Sequence, residues 1–111
     1  MPKVISSVKA LILHKGKYLF LKEEFHKNDI WDLPGGKIEY GETPYNALHR
    51  EVKEELNIEI EIEKSIGVWW FFSKNNKHEV ICHTFLCKPK KGFTIDLTHN
   101  PAAENIFLIF G

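Results

Sequence analysis

The sequence has few cysteines, with 2 among its 111 residues, Cys82 and Cys87. Both lie in the strand-like run EVICHTFLCK, an odd number of residues apart. On a strand their side chains would point to opposite faces and would not bridge each other. A disulfide scaffold and a cysteine-based zinc site are therefore not expected. A reduced, cytoplasmic protein is the simplest interpretation.

An excess of charge of either sign is also absent. The 15 basic residues balance the 15 acidic ones, and the formal net charge is +0. This balance argues against a nucleic-acid polymer as partner, because such polymers usually need a basic face. It leaves open a small phosphorylated ligand that is held through a bound metal ion.

Long apolar runs are missing as well. The N-terminal stretch MPKVISSVK lacks the apolar run of a signal peptide, and no segment approaches the length of a membrane span. There is no internal repeat, linker or low-complexity segment. With 43% hydrophobic residues the composition fits a globular chain, and we expect a single domain over residues 1–111.

What the sequence does contain is a series of strand-like segments around one helix. Residues 14–17 are typical of a hairpin turn, and residues 23–32 of a polar connection. This order predicts an α+β fold, with a mixed sheet and a packed helix. The chain ends on the apolar run IFLIFG with no second helix after it, and a homodimer could cover the face left exposed. The predicted strands are residues 4–13, 18–21, 58–63, 66–72, 79–88, 93–97 and 106–110.

The helix has clear start and stop signals. Thr43 is a suitable N-cap, and Pro44 fits the first helical position. The helix is predicted to end near Leu56, with Asn57 in the left-handed conformation that closes it.

One arc of this helix is acidic. Glu51, Glu54 and Glu55 have the i, i+3, i+4 spacing that brings side chains together, and Arg50 flanks them. An ordinary solvated helix would explain this arc, but convergent carboxylates also match the oxygen ligands that Mg²⁺ or Mn²⁺ requires. Small Ala47 is predicted to leave room beside the carboxylates. The arc predicted to face the core is Tyr45, Leu48, Val52 and Leu56.

The segment before the helix strengthens the metal interpretation. Gly35 and Gly36 follow Leu33-Pro34 in a breaker cluster, where backbone can approach a ligand closely and a carbonyl can serve as an oxygen ligand. Glu39 and Glu42 add charge at the entrance of this predicted loop.

These residues together resemble the Nudix hydrolase family, in its MutT-like branch. The family pattern is Gly, five residues, Glu, seven residues, Arg-Glu, an aliphatic residue, any residue, Glu-Glu, any residue, Gly and an aliphatic residue. Residues 36–58, here called the Nudix box, match every defined position except Asn57, where the pattern has glycine. The matching stretch reads GKIEYGETPYNALHREVKEELNI.

The resemblance implies a Nudix fold of α/β/α type, with the box as a loop–helix–loop and the C-terminal helix short or missing. It implies Mg²⁺ or Mn²⁺ as cofactor, held by Glu54, Glu55 and the Gly35 carbonyl, with Glu51 as a third ligand or as the base that activates water. Arg50 would orient Glu51 and, with Glu51 and Glu54, serve catalysis. The residues assigned to substrate binding are Gly36, Lys37, Glu42 and Trp31.

The implied reaction is hydrolysis of a nucleoside diphosphate linked to another group, X, by attack of water at phosphorus. A nucleoside triphosphate is the first substrate considered. The alternatives are an ADP-ribose or dinucleoside polyphosphate hydrolase, and a Nudix-fold module that binds a nucleotide without cleaving it.

Two further sets of residues are left open. Glu79 and Glu104 are candidates for a distal base or ligand, and Glu104 is expected in a loop. The strand aromatics at 69–72 could stack on a base, although strand aromatics usually belong to the core. Trp69 and Trp70 are predicted to point to opposite faces, so at most one would meet a ligand.

Overall fold

The structure is a computed structural model that describes residues 1–25, 28–73, 77–90 and 103–110. Of residues 22–25, 28–31 and 103–110 it describes the backbone alone. In chain order the elements are β1 (Lys3–His14), β2 (Lys17–Phe25), β3 (Asn28–Asp32), β4 (Gly35–Lys37), α1 (Pro44–Leu56), β5 (Ile60–Phe72), β6 (His78–Pro89) and β7 (Ala103–Phe110).

The strands form one mixed sheet in the order β3-β2-β1-β6-β5. β1 runs parallel to β6 and antiparallel to β2 and β4, and β7 pairs with β2. Helix α1 packs on one face, mainly against β4 and β1. The predicted α+β class, with a mixed sheet and one helix, is confirmed.

The helix boundaries are confirmed at both ends. The Thr43 hydroxyl accepts a hydrogen bond from the Asn46 N–H at 3.1 Å, and Pro44 occupies the first turn. At the other end Asn57 is left-handed, with φ 56° and ψ 37°, and its N–H donates to the Lys53 carbonyl at 2.9 Å. Both ends of α1 are therefore set by local sequence.

The predicted core arc of the helix is partly wrong. Tyr45 is 56% exposed, with its ring 5.4 Å from the Phe85 ring, and Ala47 is fully buried instead. Residues 45 and 47 are about 200° apart on a helical wheel, so they cannot both face the core. The small side chain of Ala47 lets the helix approach the sheet closely. The buried residues of α1 are Ala47, Leu48, Val52 and Leu56.

Two strand predictions are corrected. The polar residues 23–32 are not a connection, since β2 extends to Phe25 and pairs antiparallel with β3. Backbone pairing requires no apolar side chains, so polarity did not exclude a strand. The segments 58–63 and 66–72 belong to one strand, β5, whose pairing with β6 shifts register between Ile62 and Lys64 and between Ser65 and Gly67.

Two further segments, which the sequence predicts as loops, lie in strands. Gly35 and Gly36 form most of β4, paired with β1, because residues without side chains can lie directly against a neighbouring strand. Glu104 belongs to β7, paired with β2. The strand predicted at 93–97 lies outside the described residues.

The aromatic residues of β5 are not in the core. Trp69, Trp70, Phe71 and Phe72 are 41–62% exposed. On the face that carries α1, this exposure arises because α1 packs mainly against β4 and β1 and reaches little of β5. The two cysteines do not bridge each other, as predicted, and both are buried. No helix in the described part of the chain is long and apolar enough to span a membrane.

Candidate functional site

Strand β4 lies against β1 with no room for a side chain at Gly35. Gly35 pairs with Lys9, and the Ala10 N–H donates to the Pro34 carbonyl at 2.8 Å. Gly35 has φ +144°, and a Cβ at this position would collide with the Val8 carbonyl. Only glycine fits here, so the close approach depends directly on the sequence.

The two glycines of β4 also bring two helix carboxylates onto the strand. The Gly35 N–H donates to Glu55 Oε1 at 2.7 Å. A Cβ on Gly36 would lie 2.6 Å from the Glu51 carboxyl carbon. The absence of side chains at both positions therefore lets Glu51 and Glu55 reach the β4 backbone.

Arg50 joins the other acidic side chains into one network. Its Nε and Nη2 donate to the two oxygens of Glu42, at 2.7 and 2.9 Å. Its Nη1 donates to Glu51 at 3.0 Å and lies 3.4 Å from Glu54. Nη2 also donates to the Lys37 carbonyl at 3.1 Å. We call Arg50, Glu42, Glu51 and Glu54 the Arg50 cluster.

The cluster shifts the ionisation of its members in opposite directions. Hydrogen bonds from the Arg50 guanidinium and from the Glu39 N–H lower the pKa of Glu42 to about 2. The bonds to Glu42 raise the pKa of Arg50 above its ordinary value. For Glu51, burial outweighs the contact with Arg50, and the pKa of its carboxyl is raised.

The oxygen atoms available at this site are of the chemical kind that binds a hard divalent cation. These atoms are carboxylate oxygens and backbone carbonyl oxygens, which are the ligands that Mg²⁺ and Mn²⁺ prefer. Glu51 lies against a strand position with no Cβ, and the Glu54 side chain is 59% exposed. As arranged, no three acidic, histidine or cysteine side chains of the described residues converge closely enough to hold an ion. Glu51 and Glu54 turn to Arg50, and Glu55 to Gly35.

The structure brings most of the predicted site residues together. Glu51, Glu54, Glu55, Gly35, Gly36, Glu42 and Arg50 are joined by the contacts above, and Lys37 is exposed beside them. Glu79 is not, because it pairs with Val4, five residues along β1 from the partner of Gly35. The side chains of Trp31 and Glu104 lie outside the described part of the structure.

Sequence reasoning missed an ion pair at the edge of the site. Lys9 Nζ lies 2.8 Å from Asp32 Oδ2 and 3.4 Å from the Leu33 carbonyl, and its side chain is 11% exposed. The other oxygen of Asp32 accepts the Leu33 N–H at 2.8 Å. The pair ties the segment that leads into β4 onto β1. The sequence feature that could have predicted this pair is the lysine inside an apolar strand, in the run VKALIL.

A family comparison covers nearly the whole chain. The model of the NUDIX domain matches residues 4–106. A MutT-like protein of Streptomyces ambofaciens is 33% identical over 88 residues, which is 79% of this chain and 53% of that protein. An RNA pyrophosphohydrolase of Helicobacter pylori strain G27 is 36% identical over 93 residues, 81% of this chain and 57% of that protein. The chain thus spans little more than half the length of these relatives.

Solved structures share the fold. A MutT NUDIX hydrolase from Burkholderia pseudomallei superposes with a TM-score of 0.82 over 98% of this chain and 83% of that one, at 23% sequence identity. At that identity the likeness concerns the fold alone.

Proposed function

The chain belongs to the Nudix family, and on that premise we propose that it is a metal-dependent pyrophosphohydrolase of nucleotides. Its substrate would be a nucleoside diphosphate linked to another group, and the reaction would be hydrolysis of the pyrophosphate bond. A nucleoside triphosphate would then give a nucleoside monophosphate and pyrophosphate.

The observation that carries this proposal is the arrangement of box carboxylates around β4. Glu51 lies on Gly36, Glu55 accepts the Gly35 N–H, and Glu54 is exposed next to Arg50. A purely structural acidic helix would need neither a strand with two glycines beneath its carboxylates nor an arginine bonded both to two of them and to Glu42. The arrangement supports a site where oxygen donors are kept close to backbone that a ligand can approach.

The roles follow from these contacts. A divalent cation, when bound, would neutralise phosphate oxygens and so allow a nucleophile to approach an anionic substrate. Glu54, Glu55, Glu51 and the Gly35 carbonyl are the proposed ligands. Glu51 is the candidate for proton acceptor from the attacking water, as the alternative to its role as a ligand, because it lies against the Gly36 backbone inside the site. Arg50 would keep Glu51 oriented from its anchor on Glu42.

The pyrophosphate chemistry is compatible with several nucleotide substrates, and we propose a free nucleotide among them. The relatives carry names with different substrates, an RNA pyrophosphohydrolase in Helicobacter pylori and a CTP pyrophosphohydrolase in Escherichia coli. The zero net charge of this chain favours a free nucleotide over a polymer. ADP-ribose and dinucleoside polyphosphates are the alternatives within the same chemistry.

The test is a Mg²⁺-dependent hydrolysis screen. Nucleoside triphosphates, ADP-ribose, a dinucleoside polyphosphate and 5′-triphosphorylated RNA would each be incubated with the chain, with release of phosphate and pyrophosphate measured. We expect turnover of a free nucleotide that is lost on removal of the metal with a chelator. Glu54→Gln should reduce turnover by at least about 100-fold, the scale on which loss of a catalytic group acts.

A matched variant separates the site from general effects of charge. Glu59→Gln removes an exposed carboxylate three residues after the end of α1, and it should retain full turnover. Nucleotide binding without turnover in the parent chain would contradict the enzyme proposal and favour a binding module. Equal losses in the two variants would contradict the assignment of the site.

A further inference from the structure

One stretch of β5 is exposed in a way that the proposed catalytic site does not explain. Residues 67–72, here called the aromatic segment, read GVWWFF and contain no charged residue. Val68, Trp70 and Phe72 are 55–62% exposed, and Trp69 and Phe71 slightly more than 40%. In the described part of the chain β5 pairs only with β6, so the aromatic segment lies on an edge strand.

The first half of the same strand is built differently. Residues 60–65 carry Glu61, Glu63 and Lys64, and the two acids lie 3.4 and 3.6 Å from Lys88 of β6. Both register shifts in the pairing with β6 also fall between residues 62 and 67. Charges and bulges are the usual means by which an edge strand avoids pairing with another chain. The aromatic segment has neither.

The exposed side chains lie on both faces of the sheet. The pairing of residues 67–72 with β6 is regular, so successive side chains alternate between faces. Val68 pairs with His83, as does the core residue Val8, which places Val68, Trp70 and Phe72 on the face that carries α1. Trp69 and Phe71 lie on the other face, with their rings 5.6 Å apart.

This two-sided exposure restricts what can cover the segment. A helix or a small ligand would lie over one face and leave the other in water. A strand added along the free edge of β5 would place its own side chains beside both sets at once, and would pair the backbone as well. The occupant is therefore an extended segment with apolar side chains on both faces.

The aromatic segment itself has this character. Paired antiparallel with its own copy about a twofold axis, it would set aromatic side chains against aromatic side chains on each face and bring no like charges together. Four aromatic side chains, each about half exposed, offer roughly 400 Å² of apolar surface per copy. This is about half of what a standard interface buries per partner, so we expect a weak dimer whose population depends on protein concentration.

We propose that two copies of this chain pair antiparallel through the aromatic segment of β5, which extends the sheet across the dimer. The proposal is independent of the catalytic one, since none of these residues belongs to the Arg50 cluster or to β4.

The first test is sedimentation velocity over a concentration series on the order of micromolar and above. The parent chain should shift from its 13.0 kDa monomer mass towards twice that value. Trp70→Lys combined with Phe72→Lys should remain monomeric, as should Phe71→Lys from the opposite face. Ser65→Lys adds the same charge in the first half of β5 and should dimerise like the parent. Circular dichroism of each variant checks that it is folded.

The second test locates the contact without disturbing it. Single cysteines placed in turn at residues 66–72 should form disulfide-linked dimers, most efficiently at the residue that the twofold axis pairs with itself. The native thiols give a low background because both are buried and burial raises the pKa of Cys82 and, to about 12, that of Cys87. A monomeric parent chain, a dimer that survives the lysine variants, or a dimer without cross-links in the segment would each overturn the proposal.

Discussion

Two regions of the molecule differ from what side-chain polarity predicts. The acidic side chains beside Arg50 are enclosed, whereas the aromatic side chains of the aromatic segment are exposed to solvent. Glu42 and Glu51 are largely enclosed and bound to a guanidinium, with side chains only 19% and 18% exposed. Trp70 is 62% exposed. Side-chain polarity alone therefore predicts the solvent exposure of neither the acidic nor the aromatic side chains. Enclosed charge and exposed apolar surface both run against the folding preference, which is why each region points to a ligand or partner.

The largest effect is expected where the acidic region rests on β4. Gly35→Ala should destabilise the chain by about 2–6 kcal/mol, because the new Cβ collides with the Val8 backbone and φ is unfavourable for alanine. Urea denaturation followed by tryptophan fluorescence measures the free energy of unfolding. Gly41→Ala is the matched control: it also has a positive φ, +92°, but a Cβ there meets nothing within 4 Å, so only about 1–2 kcal/mol should be lost. Equal losses of unfolding free energy in the two variants would show that the close contact of Gly35 with β1 does not stabilise β4.

A smaller effect is expected from the network itself. Arg50→Met removes the donors to Glu42, Glu51 and Glu54 and leaves their charges facing one another. We expect a loss of about 1–2 kcal/mol in the free energy of unfolding, since the network is only partly buried. Lys53→Met, on the exposed side of the same helix, should change the free energy of unfolding little. If both variants behave alike in urea denaturation, the Arg50 cluster contributes nothing beyond surface charge.

How far the sequence predicted these two regions depends on whether the determining contacts are local. The cap at Thr43 and the left-handed Asn57 act within a few residues, and both were predicted correctly. The position of Arg50 beside the acidic arc is also set within one helical turn, and it was predicted. Charge and spacing along one helix were enough for all of these.

The features that were missed depend on strand pairing between distant residues. β4 exists because Gly35 fits against Lys9, and the Lys9–Asp32 ion pair spans 23 residues. The exposure of Trp70 follows from where α1 stops covering the sheet, which no property of β5 reveals. The prediction that strand aromatics are core assumed that both faces of the sheet are covered.

The Arg50 cluster also predicts a dependence of stability on pH. The pKa of Glu42 is about 2 in the folded chain against an ordinary value of 4.5, so folding favours the ionised carboxylate. Its stabilisation is present in full above the ordinary pKa and is lost as the pH falls towards 2. Glu42→Gln should therefore flatten the decline in the free energy of unfolding between about pH 5 and about pH 2, measured by urea denaturation at each pH. Glu59→Gln controls for the change in net charge. If the free energy of unfolding of Glu42→Gln falls with pH as steeply as that of the parent chain, Glu42 is not the source of the pH dependence.

The smallest effect is expected in the aromatic region. Trp70→Thr should change the free energy of unfolding of the monomer by no more than about 0.5 kcal/mol, because the exposed indole packs on little and threonine suits a strand. Leu48→Ala, a truncation of a fully buried side chain of α1, should lose about 2–5 kcal/mol under the same conditions. The measurement requires protein concentrations below those at which the parent chain associates. A loss of 2 kcal/mol or more in Trp70→Thr, on the order of a core truncation, would place this side chain in the fold of the monomer rather than on a surface kept for a second copy.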